Sequence, residues 1–296
     1  MMFAERFLRD GCLVIDRIFE PALIDRVRAE YDRQYGEIDP VAPPLHMKVG
    51  DGRLHLAIAL RGALLEPALY AHPLIIALLR NVFTTPFLID SVNVVTAFPG
   101  APDQEYHRDH PPLFGSDAAF NATLPCYALA LAIPLTDLDE ECGTTQLFAG
   151  SMGSEGDGKL NPPPGATPVM PLVQRGGCFL TDYRLWHRGL ANRSNRARPI
   201  LYILYARDWF TDVVNFKWHA RLIINRGDVE RIPVEHRPLF RRAAGKGLID
   251  CTIMELGAAP PNPGEEAVEV RRSPVGAGNA GESRRQPRGR SGHRGV

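Results

Sequence analysis

The chain has 296 residues and a mass of 32.7 kDa, enough for one large domain or two small ones. Hydrophobic residues make up 45% and charged residues 23%, the balance of a folded globular protein. Lys+Arg and Asp+Glu each number 34, and this zero formal charge argues against a nucleic-acid partner. No apolar run approaches the roughly 20 residues that a membrane helix needs, so no membrane span is expected. Residues 1–10 mix charge with apolar side chains and lack a signal-peptide core. The five cysteines (Cys12, Cys126, Cys142, Cys178 and Cys251) are widely spaced and form no CxxC pair. They suggest neither a disulfide framework nor a zinc knuckle, and a reducing, cytoplasmic location is expected.

In chain order, the front reads as helical. Pro21 suits a first helical turn, and Leu23, Ile24, Val27 and Tyr31 fall on one face. The Pro- and Gly-rich stretch 39–53 reads as a surface loop, with His46 and His55 in the same polar region. A second helix is expected over Pro73–Phe83, with Leu74, Ile75, Leu78, Leu79 and Val82 apolar. After Thr85 the pattern alternates. Over Phe87–Phe98, Ile89, Ser91, Asn93, Val95 and Ala97 share one face, and Val92, Val94 and Phe98 the other. Over Cys126–Leu135, Ala128, Ala130 and Ala132 alternate with Tyr127, Leu129, Leu131 and Ile133, the pattern of a strand covered on both faces and tight on one. Shorter strands are expected at 145–149, 169–173, 178–181 and 200–206, separated by Gly, Pro and Asp clusters. Strands spaced in this way without intervening helices indicate an antiparallel double sheet or barrel. From Gly257 to Val296, seven Arg stand against four Glu, with no aromatic residue. Such a segment cannot offset its ordering entropy by burial, so 1–256 reads as the folded domain and 257–296 as a disordered tail.

Three residues stand out for chemistry. His107 and Asp109 are two apart and project to one face of an extended chain. His187 lies 78 residues beyond Asp109, where returning strands can bring it to the same point. Two imidazoles and one carboxylate on one face of a metal leave three positions open, which suits a non-haem Fe(II) oxygenase binding both substrate and dioxygen. An H-x-D string alone is a weak signal, more often a pair of loop residues; its neighbourhood strengthens it. Arg198 follows His187 by eleven residues, at the start of a strand, where a guanidinium can grip a carboxylate bidentately beside the metal. Arg193 and Arg196, nearby, read as solvated loop charges.

Taken together, Gln104-x-x-His107-x-Asp109, the G-x-T-x-x-x-A-G-S run from Gly143 to Ser151, and His187 through Ser194 with Arg198 resemble the phytanoyl-CoA dioxygenase family of Fe(II)- and 2-oxoglutarate-dependent oxygenases. The resemblance covers about Asp90 to Phe210. It implies a mainly β double-stranded β-helix, or jelly roll, with the N-terminal helices packed on one sheet. It implies His107, Asp109 and His187 as the catalytic iron ligands, Arg198 as the partner of the distal carboxylate of 2-oxoglutarate, and Gln104 and Thr145 as further contacts to that co-substrate. Dioxygen and a small organic substrate complete the reaction, with 2-oxoglutarate becoming succinate and CO2. Asp109 favours hydroxylation, desaturation or ring formation over halogenation, because related halogenases lack this carboxylate. The chain departs from the family pattern at Ala149 and Met152, neither of which is an implied ligand.

Two rivals remain on the sequence alone: a jelly-roll metalloenzyme using the same ligands without 2-oxoglutarate, and a non-catalytic binding module on the same scaffold. His107-Arg108-Asp109 also matches the kinase catalytic loop, but no Gly-rich loop or Asp-Phe-Gly accompanies it. Gly153 to Lys159 nearly matches a phosphate loop, yet Leu160 stands where a magnesium-binding hydroxyl is required and three prolines follow. It reads as a surface loop. His110, projecting opposite to Asp109, reads as a supporting or loop residue, Trp186 as sheet packing, and Tyr106 and Tyr183 as pocket or core aromatics.

Overall fold

The structure, a computed structural model, describes residues 2–38, 49–153, 164–216 and 220–244. The expected tail at 257–296, His46, Cys251 and most of the stretches 39–53 and 153–159 lie outside the described residues. The helices are α1 (Met2–Asp10), α2 (Pro21–Tyr35), α3 (Pro67–Tyr70), α4 (Pro73–Phe83), α5 (Ala118–Thr123), α6 (Arg226–Arg231) and α7 (Arg241–Ala244). The strands are β1 (Cys12–Ile15), β2 (Arg53–Ala57), β3 (Phe87–Ala97), β4 (Ala128–Pro134), β5 (Thr145–Ala149), β6 (Thr167–Val169), β7 (Cys178–Asp182), β8 (His187–Gly189) and β9 (Arg198–Arg207). They form a six-stranded sheet in the order β1-β7-β4-β9-β3-β2 and a three-stranded sheet in the order β6-β5-β8. All pairings between these strands are antiparallel, as the strand spacing indicated for a double sheet or barrel and as the jelly roll implied by the resemblance requires.

Alternation along the central strands sorts residues between two environments. On β4 and β9, Leu129, Leu131, Ile133, Leu201, Ile203 and Tyr205 share an apolar cluster with Leu23, Ile24 and Val27 of α2 and with Leu78 and Leu79 of α4. The helices therefore cover the outer face of the large sheet. Each Leu or Ile buried there stabilises the fold by about 1.5–3 kcal/mol. The fully buried Tyr205 hydroxyl is not stranded, because it donates to the Tyr70 carbonyl at 2.6 Å. The opposite face carries Ala128, Ala130 and Ala132 beside Ile200, Tyr202 and Leu204. Two smaller apolar clusters fill this inner side, one around Leu147, Phe179 and Ile200, the other around Tyr127, Leu204 and Phe210.

Strand β3 departs from the expected alternation at one point. Its register against β9 shifts between Ile89 and Ser91, so Asp90 is an extra, bulged residue. Ser91, Asn93, Val95 and Ala97 keep the inner face, but Ile89 joins the outer core instead of sharing their side. One inserted residue reverses the facing of everything before it, since side-chain direction has period two. Further corrections concern shorter segments. The expected strand at 169–173 is β6, ending at Val169, and the Pro171 carbonyl beyond it accepts from the Thr144 hydroxyl at 2.8 Å. His55 is not in a loop but on β2, which pairs with β3. Leu74 on α4 is exposed rather than part of the apolar face. Among the described residues, no helix is long and apolar enough to cross a membrane.

Candidate metal centre

His187 opens the short strand β8, and the loop after β3 returns to meet it. His107 N–H donates to the His187 carbonyl and His187 N–H donates to the His107 carbonyl, both at 2.9 Å. This reciprocal pair sets the two imidazoles side by side, with ring centroids 4.4 Å apart. Asp109, two residues on, reaches the same spot, its Oδ1 3.5 Å from His187 Nε2. One donor atom from each of the three lies within 4.8 Å of the others, and no other such group of three occurs among the described residues.

Hydrogen bonding prepares both rings for a metal. His107 Nδ1 faces the Glu105 carbonyl at 2.8 Å and His187 Nδ1 faces the Leu185 carbonyl at 3.0 Å. A carbonyl only accepts, so each Nδ1 carries the proton and each neutral ring turns the lone pair of Nε2 towards the cluster. Burial pushes the Asp109 carboxyl up, but the facing His187, with His107 and His55 adding, outweighs it and holds the group below the ordinary carboxylate range. Burial pushes the His187 imidazole down, and Asp109 reverses this, so its pKa is raised. The donor set, its convergence and its tautomers fit iron.

A second feature adjoins this cluster. Arg53 on β2, Ala97 on β3 and Arg198 on β9 form one row across the sheet. The small Ala97 lets the two arginines converge, and both donate to the Leu190 carbonyl, Arg53 at 3.0 Å and Arg198 at 3.1 Å. Arg198 also donates to the Cys142 carbonyl at 2.8 Å, and its Nε is buried without a partner. Only 3% of Arg53 and 4% of Arg198 is exposed, and neither has an ion-pair partner among the described residues. Burial, then the neighbouring Arg198, pushes the Arg53 pKa down to about 10, and burial lowers that of Arg198. Two buried cations sharing one neutral oxygen fit a carboxylate ligand such as 2-oxoglutarate.

The other expected site residues take distinct places. Gln104 is brought to β8, where its Oε1 accepts from Gly189 N–H at 2.9 Å. The Thr145 hydroxyl lies 3.4 Å from the Tyr202 hydroxyl, and Tyr202 in turn lies in the field of Arg198, Asp109 and Arg53. Arg196 pairs with Asp139 at the surface and Arg193 is exposed, leaving Arg198 as the buried arginine of its segment. His110 is buried behind the loop, its ring 5.4 Å from that of Phe210. Sequence reasoning missed Arg53. It lies at the end of a stretch that reads as loop, and no spacing ties it to Arg198.

A jelly roll with this donor set defines the class, an iron- and 2-oxoglutarate-dependent oxygenase. Residues 7–200 match the phytanoyl-CoA dioxygenase (PhyH) family, and the chain belongs to that family, as its motifs implied. The dioxygenase trt7 of Aspergillus terreus is 26% identical over 204 residues, spanning 66% of this chain and 69% of that relative. Among solved structures, the epimerase SnoN from nogalamycin biosynthesis, in complex with Fe3+, α-ketoglutarate and nogalamycin RO, aligns with a TM-score of 0.52 at 19% identity, covering 69% of this chain and 82% of SnoN. AviO1 from Streptomyces viridochromogenes Tue57 aligns with a TM-score of 0.52 at 22% identity, covering 70% of this chain and 95% of AviO1. These structural likenesses establish a shared fold.

Proposed function

We propose that the protein hydroxylates a C–H bond of a small organic substrate in the cytoplasm, from a single catalytic domain within residues 1–256. His107, Asp109 and His187 would hold Fe(II), Arg198 and Arg53 the distal carboxylate of 2-oxoglutarate, with Gln104 and Thr145 as further contacts. Iron in that position supplies dioxygen activation coupled to 2-oxoglutarate decarboxylation, one oxygen atom leaving in succinate and the other entering the substrate as hydroxyl. Around it the chain's residues orient and shield. The paired strands fix the imidazoles, the arginine row fixes the far end of the co-substrate, and the Asp109 carboxylate occupies the third ligand position.

The observation that carries this reading is the buried pair of guanidiniums beside the His-Asp-His cluster. An unpaired buried charge costs several kcal/mol, so a site that buries Arg198 with an orphaned Nε beside a second guanidinium is suited to an anion. That supports 2-oxoglutarate use over a metalloenzyme needing only the three ligands. The test is an anaerobic titration with Fe(II) and 2-oxoglutarate, in which the chelate gives a weak visible charge-transfer band. His107→Ala and Asp109→Ala are each expected to abolish the band while the protein stays folded. Unchanged succinate formation in both variants refutes the ligand assignment, and purified protein that takes up no ferrous iron favours a binding module.

A further inference from the structure

The three donors are not held alike. His107 and His187 are clamped to each other by two main-chain hydrogen bonds. Asp109 lies on the bend beyond that bridge. Among the described residues one hydrogen bond reaches its main chain, from Asn215 Nδ2 to the Asp109 carbonyl at 2.6 Å. The same amide nitrogen lies 2.8 Å from Asp212 Oδ2 and 3.2 Å from the Tyr183 hydroxyl. Tyr183 donates its proton to that Asp212 oxygen. All three neighbours of the nitrogen are thus acceptors, which settles the orientation of the amide.

Behind Asn215 stands a buried, fully paired scaffold. Asp212 is completely buried, and its other oxygen accepts the main-chain N–H groups of Val214 and Asn215 at 2.9 and 3.0 Å. Arg221 donates to the Asp212 main-chain carbonyl and to Asp90 Oδ2, the latter at 2.9 Å. Arg242 takes the remaining Asp90 oxygen and the Phe210 carbonyl. Asp90 is the bulged residue of β3, so the irregularity in that strand serves the segment that carries Asn215.

We propose that Asn215 is a positioning residue for the metal centre, holding the Asp109 peptide, and with it the angle of the carboxylate, against the Asp90–Arg221–Asp212 scaffold. The inference rests on the reading of Asp109 as an iron ligand. A carboxylate on an otherwise untethered bend can rotate onto His187, already 3.5 Å away, instead of presenting its lone pair to a metal. Partners that orient a ligand in this way typically change metal affinity 10- to 100-fold when removed.

The experiment titrates full-length, metal-free protein with Co(II), following the visible d–d absorption and, in parallel, the melting temperature. Asn215→Ala is expected to weaken Co(II) binding roughly 10- to 100-fold and to alter the band. Tyr205→Phe removes a buried hydroxyl on the outer, helix-covered face of the large sheet and touches none of these groups; it is expected to bind Co(II) like the wild type even where it melts lower. Asn215→Gln keeps an amide donor and is expected to recover part of the affinity, a comparison that stands if Asn215→Ala does not fold. Wild-type affinity in Asn215→Ala, or affinity losses that simply follow melting temperature across the variants, overturns the inference. Absence of Co(II) uptake by the wild type overturns the ligand reading beneath it.

Discussion

Replacing Arg198 by Met probes the co-substrate pocket where its energetics are sharpest. Arg198 is 4% exposed, its Nε has no partner, and Arg53 beside it makes no ion pair among the described residues. Removing one partner of a buried ion pair costs about 3–5 kcal/mol. At about 1.4 kcal/mol per decade that is two to three and a half decades in affinity. Arg53 remains to hold part of the charge, so the lower part of the range applies, a roughly 100- to 1000-fold weaker affinity for 2-oxoglutarate. Folding stability responds differently. The Cys142 carbonyl loses its donor, costing about 1–3 kcal/mol, but the Leu190 carbonyl keeps Arg53, and the repulsion between two buried cations disappears. The effects oppose each other, so the co-substrate-free variant is expected to melt close to the wild type. The assay is an anaerobic 2-oxoglutarate titration of Fe(II)-loaded protein by its visible band, with melting curves alongside. A folded variant whose 2-oxoglutarate affinity stays within about threefold of the wild type, under 1 kcal/mol, refutes the assignment.

Two further substitutions test the supports of this pocket. Gly143 has a φ of +72°, and a Cβ there would collide with the Ala191 carbonyl and approach Arg198 Nη1 to 2.7 Å. Gly143→Ala is expected to destabilise the fold by at least the 1–2 kcal/mol of a left-handed residue and to weaken 2-oxoglutarate binding by displacing Arg198, read by melting and by the same titration. Asp139 accepts from Cys142 N–H at 2.7 Å and pairs with Arg196, bonds that together lower its carboxyl to about 2. Its unfolded value is near 3.9, so its stabilisation is present above about pH 4 and fades as pH falls towards 2. Melting curves of wild type and Asp139→Asn are therefore expected to converge in that interval, and a constant gap across it contradicts the assignment.

Much of the fold is legible because its patterns are local. The face Leu23, Ile24, Val27 and Tyr31 is the buried face of α2, and Pro73 to Phe83 is α4. Alternating alanines on β4 correctly mark a tight inner side. The break at Asp90 is not legible, since a bulge leaves no mark in an alternating run until the partner strand fixes the register. His55 is similar: its strand is short and edge-on, and only pairing with β3 separates it from the preceding loop.

The candidate site divides along the same line. The i, i+2 spacing of His107 and Asp109, and the interval from His187 to Arg198, are short-range facts that chemistry can read directly from the chain. Arg53 and Asn215 are long-range facts. Arg53 faces Arg198 only because β2, β3 and β9 are neighbours, and Asn215 reaches Asp109 across 106 residues of sequence. The amino-acid order alone determines the periodic elements and the donor types, because period and side-chain chemistry belong to each segment. Which charges are left without a counterion, and which peptide is tethered, is decided by strand pairing in three dimensions, because burial and hydrogen-bond partners belong to the packed whole.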